Sequence, residues 1–265
     1  MNLSCVILTW NSEKYINKCL SSLISELNKI DASFEIYIVD NGSRDKTTYI
    51  IDYYKKKYPQ YIIPIFLDRN TGTTYSRNLA LKRAEGEFII IMDSDVEVLP
   101  GSVNRLIQSL NKNRKAAIVA PRILYPNGRL QKSTDVFPTI LTKIYRYFFL
   151  KRIEEKSLAM QSSQNLLEVD YAISALWILR HQICDMVGFL DENIIYAPED
   201  VDFCLRVWKA GYKVLYDPNA LCIHHAQEIS RGLKINIAML WHIHGLLYYF
   251  WKHKYLFKRP DKIVV

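Results

Sequence analysis

Two aspartates close an unbroken apolar run in this chain: Phe88 to Met92 leads directly into Asp93-Ser94-Asp95. Such a run predicts a buried strand, and open α/β sheets bind their ligands at the carboxyl ends of strands. Two residues apart, Asp93 and Asp95 point to one side of a continuing strand. Paired carboxylates in that position suit a hard divalent cation that also holds a diphosphate. The competing reading is a solvated turn, which aspartate also favours.

A second acidic cluster, Glu199-Asp200-Val201-Asp202, opens the helical pattern that runs on through Arg206. Acids in a first turn complement the helix dipole. One acid suffices for that, however, and Asp202 is four residues from Arg206, the spacing of a helix ion pair. Asp200 is then the candidate general base, a role for a carboxylate in a partly desolvated cleft. Farther along, the strand-like Leu221-Cys222-Ile223 ends in His224-His225, with Ser230-Arg231-Gly232 behind it. Adjacent strand residues face opposite ways, so one histidine of the two meets a given site. Polar groups also stand at the first two strand ends: Thr9, Trp10 and Asn11, then Asp40, Asn41, Gly42, Ser43 and Asp45. They can hydrogen-bond a base and ribose, with Trp10 to stack, or cap the helices that follow, through Asn11 or Ser12 and through Ser43 or Asp45. Arg77, on a helix behind Asn70-Thr71-Gly72, could reach a diphosphate as a charge-assisted donor.

The elements that must position these residues alternate. Strand patterns cover 3–9, 34–39, 61–67, 87–92 and 116–120, and helical patterns cover 12–27, 43–57, 74–84 and 101–111. Repeated βα units predict a mostly parallel sheet with helices on both faces. Past Pro121 the pattern changes. A hairpin is expected around Pro126-Asn127-Gly128, then strands at 168–171, 175–179, 212–216 and 220–224, with helices at 181–187 and 199–210. A long aromatic helix is expected over 233–257. A Gly-x-Gly-x-x-Gly fingerprint is absent after the first strand.

At 265 residues with 49% hydrophobic and 23% charged content, the chain is long enough for a full core. Its net charge of +8 favours anionic partners such as nucleotides, phosphorylated lipids or a membrane surface. Cys5, Cys19, Cys184, Cys204 and Cys222 are scattered without a Cys-x-x-Cys pair, which predicts buried free thiols in a reducing compartment. The amino terminus reads as a first strand and not as a signal peptide, and no apolar run approaches spanning length. A cytoplasmic location is expected, with the inner face of the plasma membrane as an attachment site. The segment from Leu233 to Arg259 interleaves aromatic and basic residues; it could lie on an anionic membrane, pack on the catalytic domain or join a second copy in a homodimer.

In their order, Val6-Ile7-Leu8-Thr9-Trp10-Asn11, Val39-Asp40-Asn41-Gly42-Ser43-Arg44-Asp45, Asn70-Thr71-Gly72 with Arg77-Asn78, Asp93-Ser94-Asp95, Glu199-Asp200-Val201-Asp202 and His225 through Gly232 collectively resemble the family 2 inverting glycosyltransferases, of the bacterial rhamnosyltransferase-like kind. The resemblance implies a GT-A fold over residues 1–232. Residues 1–120 would form a nucleotide-sugar half, residues 121–232 an acceptor half, and 233–265 a tail. It implies a UDP, dTDP or GDP sugar as donor and a glycan or lipid-linked glycan as acceptor, in cell-surface polysaccharide biosynthesis. By the same resemblance, Thr9, Asn11 and Asp40 contact base and ribose, and Arg77 lies near the base or diphosphate. Asp93 approaches ribose and metal, while Asp95 binds Mn²⁺ or Mg²⁺ directly. His225 aligns with the metal-binding histidine, with His224 in its place if the register slips. Asp200 is the base, Glu199 helps hold acceptor or sugar, and Ser230 and Arg231 hold diphosphate oxygens. Ser174-Ala175 stands where the family often has Gly-Ala, and Gln227-Glu228 replaces the usual Glu-Ser. Two rivals are weaker. A sugar nucleotidylyltransferase wants a Gly-rich phosphate loop after the first strand, and a non-catalytic sugar- or nucleic-acid-binding module leaves the ordered acid pairs unexplained. Nucleic acid is accordingly not an expected partner.

Overall fold

The run from Phe88 to Met92 does form a strand, and its five side chains are at most 1% exposed. Full burial of one such side chain stabilises a fold by about 1.5–3 kcal/mol, which is why this stretch sits at the centre of the molecule. The computed structural model describes residues 1–142, 164–226 and 237–260. In chain order the first half contains β1 (Asn2–Thr9), α1 (Ile16–Leu27), β2 (Ser33–Asp40), α2 (Thr47–Lys57), β3 (Ile62–Phe66), α3 (Thr73–Leu81), β4 (Phe88–Asp93), β5 (Val96–Val98), α4 (Ser102–Lys112) and β6 (Ala116–Leu124). The second half contains β7 (Thr134–Asp135), β8 (Leu167–Glu168), β9 (Tyr171–Ala172), β10 (Leu176–Arg180), α5 (Gln182–Val187), α6 (Glu199–Lys209), β11 (Lys213–His224) and α7 (Ile237–His253).

The main sheet runs β3-β2-β1-β4-β10-β6-β11-β5, with β8 added on β11. Its first four strands are parallel, as the βα repeats require. Successive side chains on these strands feed two different cores. Cys5, Ile7, Ile90 and Met92 pack with α1 and α4 on one face, while Val6, Ile89 and Ile91 pack with α3 and α6 on the other. A strand buried on both faces reads as a continuous apolar run for this reason.

Several boundaries differ from the sequence expectation. The helix expected from Ser12 begins at Ile16, because the backbone carbonyl of Ser12 first closes a turn with the N–H groups of Tyr15 and Ile16. Asp45 supports the start of α2 by accepting from Thr47 N at 3.0 Å. The two strands expected at 212–216 and 220–224 are one strand, β11, with a register shift between Asp217 and Leu221. Asp217 turns inward there, to Arg105 Nε at 3.0 Å and Ser109 Oγ at 2.6 Å. The short β5 was not expected; it follows the aspartate turn and pairs antiparallel with the end of β11. β10 lies antiparallel between β4 and β6, so the sheet is mixed at its centre. All five cysteines are buried and free.

Candidate active site

The carboxyl ends of β1, β2 and β4 lie side by side in the sheet. β1 and β2 are in register, so that Thr9 lies opposite Asp40. Both residues are buried, and Thr9 Oγ1 and Asp40 Oδ1 have no hydrogen-bond partner among the described residues. Leaving a buried polar atom unpaired costs about 1–3 kcal/mol, so a ligand group is the natural complement to both. Asp40 Oδ2 accepts from Ser43 N at 3.0 Å, which curls the following loop over the strand end. Asn11, at φ 49°, locks the same loop: its N–H donates to Ser43 Oγ and its Oδ1 accepts from Arg44 N, each at 2.8 Å. Trp10 beside it is 43% exposed, with a ring face available to stack. Asn41 ties this loop to the next by accepting from Thr71 N and donating to Gly72 O. Gly72 itself has φ 88°, and a Cβ there would sit 2.4 Å from Ile195 O, so the two halves touch through a position that only glycine fills.

β4 ends at Asp93, and the chain turns through Ser94 and Asp95 into β5. Pairing of β5 with β11 sets His224 opposite Val96, which brings a histidine over a hundred residues distant to the aspartate turn. His224 Nε2 lies 3.3 Å from Asp95 Oδ1, and Asp93, Asp95 and His224 each offer a ligand atom within 4.8 Å of the others. His224, and not His225, therefore faces the aspartates. His225 follows the strand alternation to the other side, where its ring stacks on Tyr15 at 5.1 Å and Nε2 is 3.7 Å from Glu97. His225 still serves the turn through its backbone, donating to Asp95 O at 2.9 Å. The His224 Nδ1 is 3.1 Å from Gln131 Oε1, a partner that orients the ring and directs Nε2 at Asp95. Two carboxylate oxygens and one imidazole nitrogen are a donor set that fits Mg²⁺ or Mn²⁺.

Arg77 takes an unexpected position. Its guanidinium is buried between the strand-end acid Asp93 and the helix-start acid Glu199. One arm donates to Asp93 Oδ1 at 2.5 Å and the other to Ser174 Oγ at 2.7 Å, with Glu199 Oε1 3.5 Å away. Ser174 Oγ in turn reaches Glu199 Oε1 at 3.3 Å. The reason is topological. β10 enters beside β4, with Leu176 opposite Met92, which delivers Ser174 to the end of the aspartate strand. A charge network thus connects the strand-end acids to the helix-start acids.

α3 is stitched to the loop before α6. Thr73 N and Thr74 Oγ1 donate to Ile195 O and Ile194 O, and Asn78 brackets Leu190 with both amide groups. Glu199 and Asp200 open α6, and Asp200 is half-buried with Oδ1 accepting from Val201 N at 2.7 Å. Burial pushes the Glu199 carboxyl up to about 8, the charge of Asp200 adds to the rise, and Arg77 opposes it. Asp202, three residues on, meets the opposite fate. Burial alone would raise it, but the hydrogen bond from His253 and the charges of Arg206 and Lys252 hold it well below the usual carboxylate range. Arg206 Nε and Asp202 Oδ2 are 2.9 Å apart, the ion pair that the four-residue spacing predicted. Lys252 and His253 on α7 close on Asp202 at 2.7 and 2.8 Å. Ser230 and Arg231 lie outside the described residues.

Residues 4–167 match the profile described as Glycosyl transferase family 2, and the chain belongs to that family. A poly(ribitol-phosphate) beta-N-acetylglucosaminyltransferase, TarS of Staphylococcus aureus, is 30% identical over 166 residues, covering 57% of this chain and 28% of its own length. An N-acetylglucosaminyl-diphospho-decaprenol L-rhamnosyltransferase of Mycobacterium tuberculosis is 24% identical over 84% of this chain and 76% of its own. The chain spans little more than a quarter of TarS, and three quarters of the rhamnosyltransferase. In structure it is similar to GalNAc-T7 solved with UDP, GalNAc and Mn²⁺, with a TM-score of 0.64 at 17% identity over 84% of this chain and 44% of the other. That likeness establishes the GT-A fold.

Proposed function

We propose that this protein transfers a sugar from a nucleoside-diphosphate sugar to an acceptor hydroxyl, inverting the anomeric centre. The observation that carries the reading is the Asp93-Asp95-His224 cluster, with the unpaired polar atoms of Thr9 and Asp40 at the neighbouring strand ends. Thr9 and Asp40 would take the base and ribose, and Trp10 would stack over them. Asp93, Asp95 and His224 would hold Mn²⁺ or Mg²⁺, which when bound supplies Lewis-acid compensation for the charge growing on the leaving diphosphate.

Asp200 removes the proton from the acceptor hydroxyl, and the freed oxygen attacks the anomeric carbon as the bond to the diphosphate oxygen breaks. Attack from the face opposite the leaving group inverts the configuration. Glu199, kept protonated by burial, holds the sugar or acceptor with a donated hydrogen bond. Arg77 keeps Asp93 and Glu199 in fixed relation. The relatives' acceptors, a ribitol-phosphate polymer and a diphospho-decaprenol sugar, support a surface glycan or lipid-linked glycan as the substrate class.

The test is release of nucleoside diphosphate from a panel of nucleotide-sugars, with and without Mn²⁺ and with glycan acceptors. Metal-stimulated, acceptor-dependent release from one donor is expected. No release from any donor, or release of pyrophosphate from a sugar phosphate and a nucleoside triphosphate, would overturn the assignment.

A further inference from the structure

We infer that α7 and the turn behind it form a docking surface for an anionic membrane, with the helix lying in the plane of the headgroups. α7 is apolar nearly all round, and such a helix needs a partner on more than one side. The domain supplies one. Gly245 lies against the 194–197 loop, where a Cβ would come 2.2 Å from Ala197 O, and Tyr249 and Phe250 are buried in the core. The opposite stripe is left open: Leu240 is 52% exposed, Ile243 44%, Leu247 66% and Trp251 74%. These positions fall three and four residues apart, along one line of the helix. The turn that follows extends the line with Leu256 at 43% and Phe257 at 64%.

Large exposed aromatic and aliphatic groups in a contiguous line mark an interaction surface, not ordinary solvent exposure. Beside them runs an open apolar groove of about 680 Å³, lined by Ile140, Leu246, Leu247, Phe250, Trp251 and Leu256. The charges on this face decide what covers it. Lys254, Lys258 and Arg259 are exposed around Trp251 and Phe257, and the sequence holds no acidic residue from Ile229 to Pro260. A second copy meeting this face on itself would set these cations against one another. An anionic bilayer complements them while its acyl boundary takes up the apolar line. At 17 residues α7 is about 25 Å long, and no described helix is long and apolar enough to cross a membrane, so α7 rests on the surface. The attachment is mechanically close to the helix-start acids, because Lys252 and His253 of the same helix hold Asp202 of α6.

The inference does not depend on the transfer chemistry, and its test needs no substrate. The full chain is mixed with phosphatidylcholine vesicles, with and without phosphatidylglycerol, and floated on a density gradient. Flotation with the anionic vesicles only, reversed by high salt, is expected. Trp251→Glu with Phe257→Glu should abolish it while leaving the thermal unfolding midpoint in place, since both side chains are exposed. Changing Lys254, Lys258 and Arg259 to Gln should weaken binding about fivefold per charge, by an independent route that leaves the apolar line intact. Failure to float on anionic vesicles would overturn the inference. So would full flotation of both variants, or a dimer in sedimentation velocity that Trp251→Glu dissolves without any vesicle binding.

Discussion

The two acidic clusters of this protein are built alike in sequence and treated in opposite ways by the fold. Asp93 and Asp95, at a strand end, meet a histidine and a single arginine arm, and both stay partly exposed. At the start of α6, Asp202 is enclosed by Arg206, Lys252 and His253, so its charge is neutralised within the protein. Between them Glu199 is buried beside Arg77 and shares that arginine with Asp93. An acid compensated internally holds structure together, whereas acids gathered without that compensation are suited to an ion or a proton that comes and goes.

Breaking each cluster should separate the two roles, and the largest effect is expected at the proposed base. Asp200→Asn preserves shape but removes the proton acceptor, so transfer should fall about 10²–10⁴-fold while donor affinity by calorimetry is retained. Undiminished turnover would remove Asp200 from the mechanism. Asp202→Ala should act on stability instead. Removing one partner of a buried ion pair costs about 3–5 kcal/mol, to be read from urea denaturation. Because its folded carboxyl is held below the usual range, Asp202 contributes stability that is present above about pH 4 and is lost as pH falls further. A stability curve of the variant that remains as acid-sensitive as the parent would contradict this.

Gln131→Ala should weaken Mn²⁺ binding about 10–100-fold, the usual cost of losing a partner that orients a metal-binding histidine, with folding unaffected. Equal Mn²⁺ affinity in a titration would mean that Gln131 does not hold His224. The smallest and most specific effect is expected at Glu199. Its folded carboxyl is raised to about 8, so its proton is retained on folding at neutral pH. The stability it contributes is complete below the ordinary carboxylate range and is lost as pH rises toward 8. Glu199→Gln should flatten that loss, gaining on the parent protein at the alkaline end in thermal melts. A constant offset between the two at every pH would count against a raised Glu199.

The parallel strands could be read in the sequence because each is a short apolar run with a polar residue at its end. β4 and its Asp93-Ser94-Asp95 turn are the clearest case. The Asp202–Arg206 pair was readable too, since it depends only on helix spacing. β5 and the antiparallel placement of β10 were not readable. A three-residue strand has too little pattern to detect, and no local signal states which neighbour a strand will join. The choice between His224 and His225 failed for a related reason. Strand alternation says that the two rings part, but the pairing of β5 with β11 decides which ring turns to the aspartates. Gln131 and Ser174 carry no motif, and they matter only because β10 and the 126–131 turn arrive beside Arg77 and His224.

Residue types and their spacing determined by themselves the alternating α/β plan and most of the groups able to do chemistry, since these follow from periodicity and local charge, and the motifs in their order carried the family resemblance. Tertiary structure alone decided how those groups are shared out. It turned Arg77 inward as a bridge, gave the cluster His224, and assigned opposite protonation to Glu199 and Asp202 within a single helical turn. Burial and long-range charge set these outcomes, and both arise only when distant segments meet.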